Sequence, residues 1–395
     1  MPNPQAHNSQ LPEPGPDARA VSDALVNLIR AEIERAGGWI SFSDYMRLAL
    51  YAPGLGYYSA GAAKFGTAGD FVTAPEISPL FGACIAATAA DVLAAPELGG
   101  QGAILEIGAG TGRLAAQILK SLAEKNALPR RYCILELSAD LQQRQRELLA
   151  QEVPDLLDRV AWLTALPQDF RGFIVGNEVL DAMPCALVHY CESGWLERGV
   201  VWRDGFAWED RPIRDMNLMM QALVLPVAGN YLTEIQLEAQ GFVKSLAGSL
   251  SCGAILLLDY GFPAAEYYHP QRHMGTLMCH YRHHSHTEPF WLPGLCDITT
   301  HVDFSAIWRA GADAGLALEG YLTQGAYLVN AGLMDELNRL DAADMKAYLA
   351  GVSAAQKLVN PTEMGELFKV MAFSKGLELP DLLAGFQTGD DSGRL

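Results

Sequence analysis

Apolar and polar positions alternate in two distinct ways along this chain. From Ala18 to Ala36, Val21, Leu25, Leu28, Ile29 and Ile33 recur at helical spacing, and Gly37-Gly38 closes the run. A short helix is predicted from Ser43 to Leu50, stopped by Pro53-Gly54, and Ser78-Pro79 opens another, with Ser as cap and Pro in the first turn. From Gly99-Gly100 onward, buried strands and helices take turns. Strands are predicted over Ala103–Ile107, Tyr132–Leu137, Val160–Leu163 and Phe173–Gly176, with helices over Arg113–Ala123 and Ala139–Ala150. This rhythm predicts a parallel sheet covered on both faces.

Residues Cys185 to Trp208 break the rhythm. The alternating stretches Ala186–Tyr190 and Trp195–Trp202, joined by Glu192-Ser-Gly194, predict a hairpin. A single helix is expected from Thr233 to Leu250, then a buried strand over Ala254–Leu258. Two helical stretches between Asp303 and Leu358 follow, and Glu319–Thr323 and Lys369–Ser374 are the last strands. The predicted organisation is a disordered tail (1–16), an N-terminal helical lid (17–99) and a doubly wound α/β, Rossmann-like core (100–190 and 251–378). A mid-chain insertion (191–250) shapes the acceptor site, and a polar tail (379–395) is expected to be disordered from Gln387.

The strongest chemical signal is Ile104-Leu-Glu-Ile-Gly-Ala-Gly-Thr-Gly-Arg-Leu114, where a buried strand runs through three alternating glycines into a helix. Glycine tolerates positive φ and lacks Cβ, so a ligand can lie against the backbone, while the following helix offers free N–H groups. The dinucleotide pattern G-x-G-x-x-G is not met, because Arg113 stands where the last glycine would fall. The spacing G-x-G-x-G after Glu106 instead resembles methyltransferase motif I, in which the turn faces the methionyl end of S-adenosylmethionine. Glu136, 24 residues after Gly112 at the end of the next strand, suits the ribose hydroxyls. A second block, Gly176-Asn-Glu-Val-Leu-Asp-Ala-Met-Pro184, brings Asn177, Glu178 and Asp181 to the carboxyl edge of the sheet, either as chemistry or as helix caps.

Composition narrows the function. A formal charge of −18 argues against gripping nucleic acid by its phosphates and favours cationic substrates or partners. No apolar run reaches the roughly 20 residues of a membrane span. The first residues lack a secretory or transit pattern, which predicts a cytoplasmic protein. The seven cysteines show no C-x-x-C spacing and read as reduced core residues. Seven of nine histidines lie between His269 and His301, densest at His280, His283, His284 and His286. Their spacing fits no zinc pattern, so no metal is expected, and the preferred reading is a loop over the active-site mouth.

Taken in order, Ile40–Met46, Gly56-Tyr-Tyr58, Gly69–Ser78, Leu105–Gly112, Glu136 with Ser138, Asn177–Pro184, Asp259-Tyr-Gly261, Gly275-Thr276 and Asp297–Phe304 resemble the MidA-like methyltransferases. This is the family of the mitochondrial complex I assembly factor that methylates arginine. The resemblance implies a seven-strand S-adenosylmethionine methyltransferase core with extra helices packed over the donor. It implies donor binding at Glu106, Gly108, Gly110, Gly112, Glu136, Asp70 and Thr73, and a protein arginine as acceptor, on a target like a respiratory complex I subunit. Glu178 and Asp181 are the candidates to grip a guanidinium, with Asp297 and Asp303 behind them. His283 and His286 match family positions, and the sequence does not choose between them as proton acceptors. His286 is carried forward with Asn177, Glu178 and Asp181 as the candidate catalytic set. A small-molecule methyltransferase and a donor-binding assembly chaperone stay open as alternatives. The oligomeric state is not fixed by the pattern; a homodimer is kept open, through an apolar patch of the insertion.

Overall fold

The computed structural model describes residues 11–59, 72–341, 343–379 and 381–395. They fall into two compact units. One comprises Thr73–Asp181, Ala239–Tyr267 and Val302–Leu395; the other comprises the residues up to Val72, Ala182–Glu238 and Tyr268–His301.

The first unit is built on a sheet whose strands lie in the spatial order Ala317–Thr323, Phe368–Lys375, Leu250–Phe262, Phe170–Asn177, Ala103–Ile107, Tyr132–Leu135 and Val160–Leu163. The five strands from Leu250–Phe262 outward to Val160–Leu163 are parallel, and Phe368–Lys375 runs antiparallel between its two neighbours. Numbered along the chain, the seven run 3-2-1-4-5-7-6, and the two-residue strand Val302–Asp303 pairs with the end of Leu250–Phe262. The central strands are mostly apolar: Ile104, Leu105, Phe173, Ile174, Val175 and Ile255 to Leu258 are all buried. That is what a sheet covered on both faces requires.

Two glycines at paired positions hold the centre of this sheet together. Gly172 and Gly253 have φ of +139° and +145°. A Cβ on Gly253 would lie 1.8 Å from the Gly172 carbonyl oxygen, and one on Gly172 would lie 1.9 Å from that of Ala103. Only glycine fits there. The helix Pro79–Ala94 packs into the same core, capped as its sequence predicts: the Ser78 hydroxyl accepts from the Leu80 N–H.

The second unit carries an antiparallel sheet of Ile40–Ser41, Gly194–Trp202, Ala186–Cys191 and Tyr231–Ile235, with Phe206–Pro212 paired to Gly194–Trp202. Leu25, Ile29 and Ile33 of the helix Pro16–Arg35 share one apolar core with Phe42, Tyr45 and Met46 of the helix Phe42–Tyr51.

Several expectations are corrected. Thr233–Leu250 is not one helix: Tyr231–Ile235 is a strand paired with Ala186–Tyr190, and the helix runs from Leu237 to Ser249. Leu232 and Ile235, three positions apart, suit the face of a helix, whereas the pairing with the neighbouring edge makes Tyr231–Ile235 a strand. The strand at Tyr132 stops at Leu135, not Leu137. Four helices, not two, lie between Phe304 and Val359. The polar tail is ordered: the Asp390 carboxylate accepts from the Tyr321 N–H, and the Asp391 N–H donates to the Tyr321 carbonyl. Its polar groups satisfy the outer edge of the end strand Ala317–Thr323. The division into units also differs from the sequence reading. Residues 73–99 group with the parallel sheet, whereas 268–301 group with the antiparallel one. Among the described residues, no helix is long and apolar enough to cross a membrane.

Candidate functional site

The parallel strands are in register, so Leu135, Ile107, Gly176 and Leu257 form one row across the sheet. The residues immediately beyond that row define its carboxyl edge, where ligands of doubly wound folds bind. They are Glu136, Gly108, Asn177 and the Leu258-Asp259 pair.

At Gly108 the chain enters the glycine turn. Gly108, Gly110 and Gly112 have φ of +65°, +53° and +87°, and Gly112 caps the helix Arg113–Glu124. Their surroundings differ. A Cβ on Gly108 would meet the Val179 side chain at 2.7 Å, and one on Gly112 would touch Gln145 at 3.3 Å. The Cβ direction of Gly110 meets nothing within 4 Å. Gly110 is therefore the point where a side chain would fill a cradle instead of striking the protein.

Glu106 precedes the turn but does not line it. It is buried, at 2 % exposure, and its Oε2 accepts from the Tyr132 hydroxyl at 2.6 Å. Burial pushes its carboxyl up to about 7, against the pull of that hydrogen bond. Glu136 stands immediately beyond the strand Tyr132–Leu135. Its Oε1 accepts from the Ser138 N–H at 2.9 Å, and Oε2 from the Gln145 amide at 3.3 Å. Burial raises its pKa, while the hydrogen bonds oppose the shift.

The block Thr73–Ser78 is tied to the same turn. Thr73 is the N-cap residue of the short helix Ala74–Ile77. The Thr111 hydroxyl donates to Glu76 at 2.6 Å, Arg113 lies 3.7 Å from the same carboxylate, and the Gln117 amide donates to the Pro75 carbonyl at 2.7 Å. Asp70 lies outside the described residues.

Beyond Gly176 the chain makes a tight loop rich in carboxylates. Asn177 pairs with Leu258 and donates its amide to Glu178 Oε1 at 3.0 Å. Glu178 has φ of +53°, a conformation that costs a non-glycine residue roughly 1–2 kcal/mol, and its N–H donates to the Leu258 carbonyl. Asp181 is buried and accepts from the Tyr260 hydroxyl at 2.6 Å. The residue that shapes this loop is Asp259. Its Oδ2 accepts from the Leu180 and Asp181 N–H groups at 2.9 and 3.2 Å, and Oδ1 accepts from its neighbour Tyr260. Burial and the nearby Asp181 carboxylate lift Asp259 well above the usual carboxylate range. Val179, the residue that meets the Gly108 Cβ direction, lies between Glu178 and Asp181. The glycine turn and the carboxylate loop are thus neighbours.

A strand-turn-helix with a bare central glycine, an acidic strand end beside it and a carboxylate loop against it is a fitting place for a cationic cofactor. Comparison with known proteins agrees. Residues 84–322 match the family described as "Putative S-adenosyl-L-methionine-dependent methyltransferase". The chain belongs to that family.

A crystal structure of a Burkholderia thailandensis protein bound to S-adenosyl-homocysteine is 49 % identical, with a TM-score of 0.93, over 98 % of this chain and 100 % of that one. The mitochondrial protein arginine methyltransferase NDUFAF7 of Danio rerio is 28 % identical over 85 % of this chain and 83 % of its own length. Its Caenorhabditis elegans homologue is 27 % identical over 87 % and 85 %. The MidA-like resemblance and the seven-strand methyltransferase core are thereby established, and S-adenosylmethionine is the cofactor. The residues present fit it, since Gly110 leaves backbone open to a ligand at the edge where Glu136 ends its strand.

The clustered histidines, His269 to His301, belong to the other unit of this methyltransferase. The expected loop is a hairpin: Met278–Tyr281 pairs with His284–His286 and, on its other side, with Asp297–Thr299. Arg282 and His283 turn it with φ of +46° and +65°, without the glycine or asparagine that normally signals such a turn. His286 Nδ1 accepts from the Glu288 N–H at 3.3 Å, so the neutral ring carries its proton on Nε2, which is buried without a hydrogen-bond partner. Burial and the neighbouring His280 push its pKa down to about 4, which makes it a weak base near neutrality. Asp297 is buried, with both oxygens 3.0 Å from the Tyr58 hydroxyl, and Asp303 caps the helix Phe304–Asp313. Among the described residues, no group of three or more His, Cys, Asp or Glu side chains is arranged to hold a metal.

Sequence reasoning missed Gln145, Glu76 and the role of Asp259. Asp259 carried a signal, a carboxylate closing the apolar run Ile255 to Leu258. Gln145 carried none, because it lies among polar residues of the helix Ala139–Glu152.

Proposed function

We propose that this methyltransferase acts on an arginine side chain of a protein, with the donor on the turn Gly108–Gly112, its ribose on Glu136, and the acceptor guanidinium held by Glu178 and Asp181. The observation that carries the reading is the adjacency just described, with Val179 of the carboxylate loop against Gly108 of the turn. The names of the Danio rerio and Caenorhabditis elegans relatives support the choice of arginine. So does the chemistry. A guanidinium is cationic and a poor nucleophile, and paired carboxylates would bind it through parallel hydrogen bonds and localise a lone pair on one nitrogen. When bound, S-adenosylmethionine supplies a methyl carbon on a sulfonium, open to in-line displacement.

The chain's own residues then have three tasks. Glu178 and Asp181 orient the acceptor, where alignment alone can lower the barrier by ~7–11 kcal/mol. One of the two carboxylates takes the proton that the methylated nitrogen releases. Asn177, donating to Glu178, fixes which of its oxygens faces the acceptor. His286 is left out of this scheme, because a group held near 4 takes protons poorly at neutral pH. The reading takes the enzyme as bacterial and cytoplasmic, supported by the Burkholderia neighbour and the seven unbridged cysteines. Cell fractionation checks the location.

The deciding experiment combines labelled S-adenosylmethionine, the purified protein and a lysate of cells lacking it. Label in a protein band, released on hydrolysis as methylated arginine, is the expected result. Donor binding without protein label would overturn the arginine reading in favour of a small-molecule acceptor or an assembly role.

A further inference from the structure

We propose that Gln145 is a positioning residue for donor binding: a single buried amide that locks the glycine turn to the carboxylate of Glu136, so that the two halves of the donor site are held at one spacing. The inference rests on the proposed reading of Glu136 and Gly110 as donor contacts and adds a residue that nothing in the motif predicts.

Gln145 is fully buried on the helix Ala139–Glu152, in a segment whose other polar side chains face solvent or are half-exposed. Its amide nitrogen donates to the Gly110 carbonyl at 3.0 Å and to Glu136 Oε2 at 3.3 Å. Its amide oxygen accepts from the Trp162 indole N–H at 2.9 Å. A primary amide has two N–H donors, and both are used, one on each half of the site. The indole settles which end of the amide is which, since Trp162 can only donate. The contact is steric as well: the Gln145 side chain and Cα lie 3.3–3.4 Å from where a Cβ of Gly112 would stand.

A buried glutamine needs a reason, because an unsatisfied amide costs about 1–3 kcal/mol and a leucine would pack there without that risk. Stability alone does not supply the reason, since the Gly110 carbonyl and Glu136 could turn to solvent in a simpler fold. Preorganisation does. The carbonyl of Gly110 is tied to the Gln145 amide, and Glu136 Oε2 is fixed by the same amide before any ligand arrives. The ordering cost is met during folding and not during binding.

The tests are calorimetric titrations of S-adenosylhomocysteine into the full-length protein across pH, with thermal unfolding as a check on folding. Gln145→Leu is expected to weaken binding about 10-fold, the scale of losing one hydrogen bond to a charged group. A second readout is one that mere loosening would not move. Glu136 is held up by burial and pulled down by the Ser138 and Leu137 backbone and by Gln145, with no charged side chain among the causes. Removing the amide therefore raises its pKa further. Affinity is lost as pH falls through that pKa, so the acid limb of the binding profile should move to higher pH in Gln145→Leu.

Gln145→Glu keeps the shape and the acceptor for Trp162. It places a second carboxylate against Glu136, so it should bind more weakly than Gln145→Leu at neutral pH and recover partly on acidification. It reports on the proposal even where Gln145→Leu does not fold. Glu136→Gln separates the two levels. Unchanged affinity in Glu136→Gln sinks the donor-site reading itself. A loss in Glu136→Gln, with affinity and acid limb unmoved in both Gln145 variants, sinks the role of Gln145 alone.

Discussion

In the parallel-sheet unit, half-buried Glu136 follows directly on the end of its strand, Glu106 stands one residue before such an end, and the buried Asp259 lies on Leu250–Phe262 just beyond the point where its parallel partner Phe170–Asn177 ends. In the antiparallel unit, the buried carboxylates bind down chain segments. Glu234 takes the Thr276 and Leu277 N–H groups at 2.7 and 3.0 Å and the Thr276 hydroxyl at 3.3 Å, and Asp297 takes the Tyr58 hydroxyl. Parallel strands end together on one edge, so their terminal polar groups gather where a ligand can meet several at once. An antiparallel sheet sends alternate strands to opposite edges, and the buried acids Glu234 and Asp297 are taken up by groups far along the chain. The same residue type is a site in one unit and a staple in the other. Changes in the first should therefore read out in donor binding and turnover, and changes in the second in stability.

The largest effect is expected at Gly110. Its Cβ direction is open, so the Cβ of Gly110→Val meets no protein atom within 4 Å, and the positive φ costs the fold roughly 1–2 kcal/mol. The side chain would fill the cradle, and S-adenosylhomocysteine binding should fall by more than about 100-fold in calorimetry, near 3 kcal/mol. Unchanged affinity would remove the turn from the donor site.

Glu106 comes next and tests whether every acid of the motif belongs to the ligand. Its folded pKa of about 7 lies above the usual 4.5. Between those values the folded state holds a proton that the unfolded state releases. The stability this contributes is complete below pH 4.5 and is lost as pH rises through 7, by at most about 3 kcal/mol. In Glu106→Gln the decline between pH 4.5 and 7 should flatten, as measured by denaturant unfolding at several pH values. An equal decline in both proteins would show that Glu106 is not the group responsible.

Much of this was legible beforehand, for physical reasons. The strand Ala103–Ile107 was readable because its strand–glycine–helix sequence admits no other period, and Glu136 because it ends the next strand. Tyr231–Ile235 was not, because Leu232 and Ile235 at helical spacing extend the pattern of the helix that follows, and only the partner Ala186–Tyr190 makes the segment a strand. The hairpin at Arg282-His283 was hidden by a turn without turn residues. Gln145 was hidden because a glutamine on a polar helix looks solvated until its partners, 35 residues before and 17 after, are in place.

A smaller effect is expected at Asp259, which touches no proposed ligand but holds the carboxylate loop. Asp259→Asn would set an NH₂ against either the Tyr260 N–H or the pair from Leu180 and Asp181. We expect kcat to fall about 10-fold, since a loosened loop loses transition-state alignment, while S-adenosylhomocysteine affinity stays within about two-fold. Equal losses in affinity and kcat would mean that the two halves of the unit do not separate as argued.

The smallest effect tests the antiparallel unit. His286 stacks edge-on against Trp291 at 5.3 Å between centroids, and its pKa is held near 4 instead of the usual 6.5. The folded state resists protonation there, so the stability it contributes is present above pH 6.5 and lost as pH falls toward 4. Partial exposure screens the effect, which should stay below about 1 kcal/mol. His286→Asn keeps an acceptor near the Glu288 N–H and cannot protonate, so its unfolding midpoint should fall less between pH 7 and 5 than that of the parent. Its kcat and the pH dependence of kcat should not change. A kcat profile that loses an ionisation in His286→Asn would return this histidine to the reaction and break the division of labour between the two units.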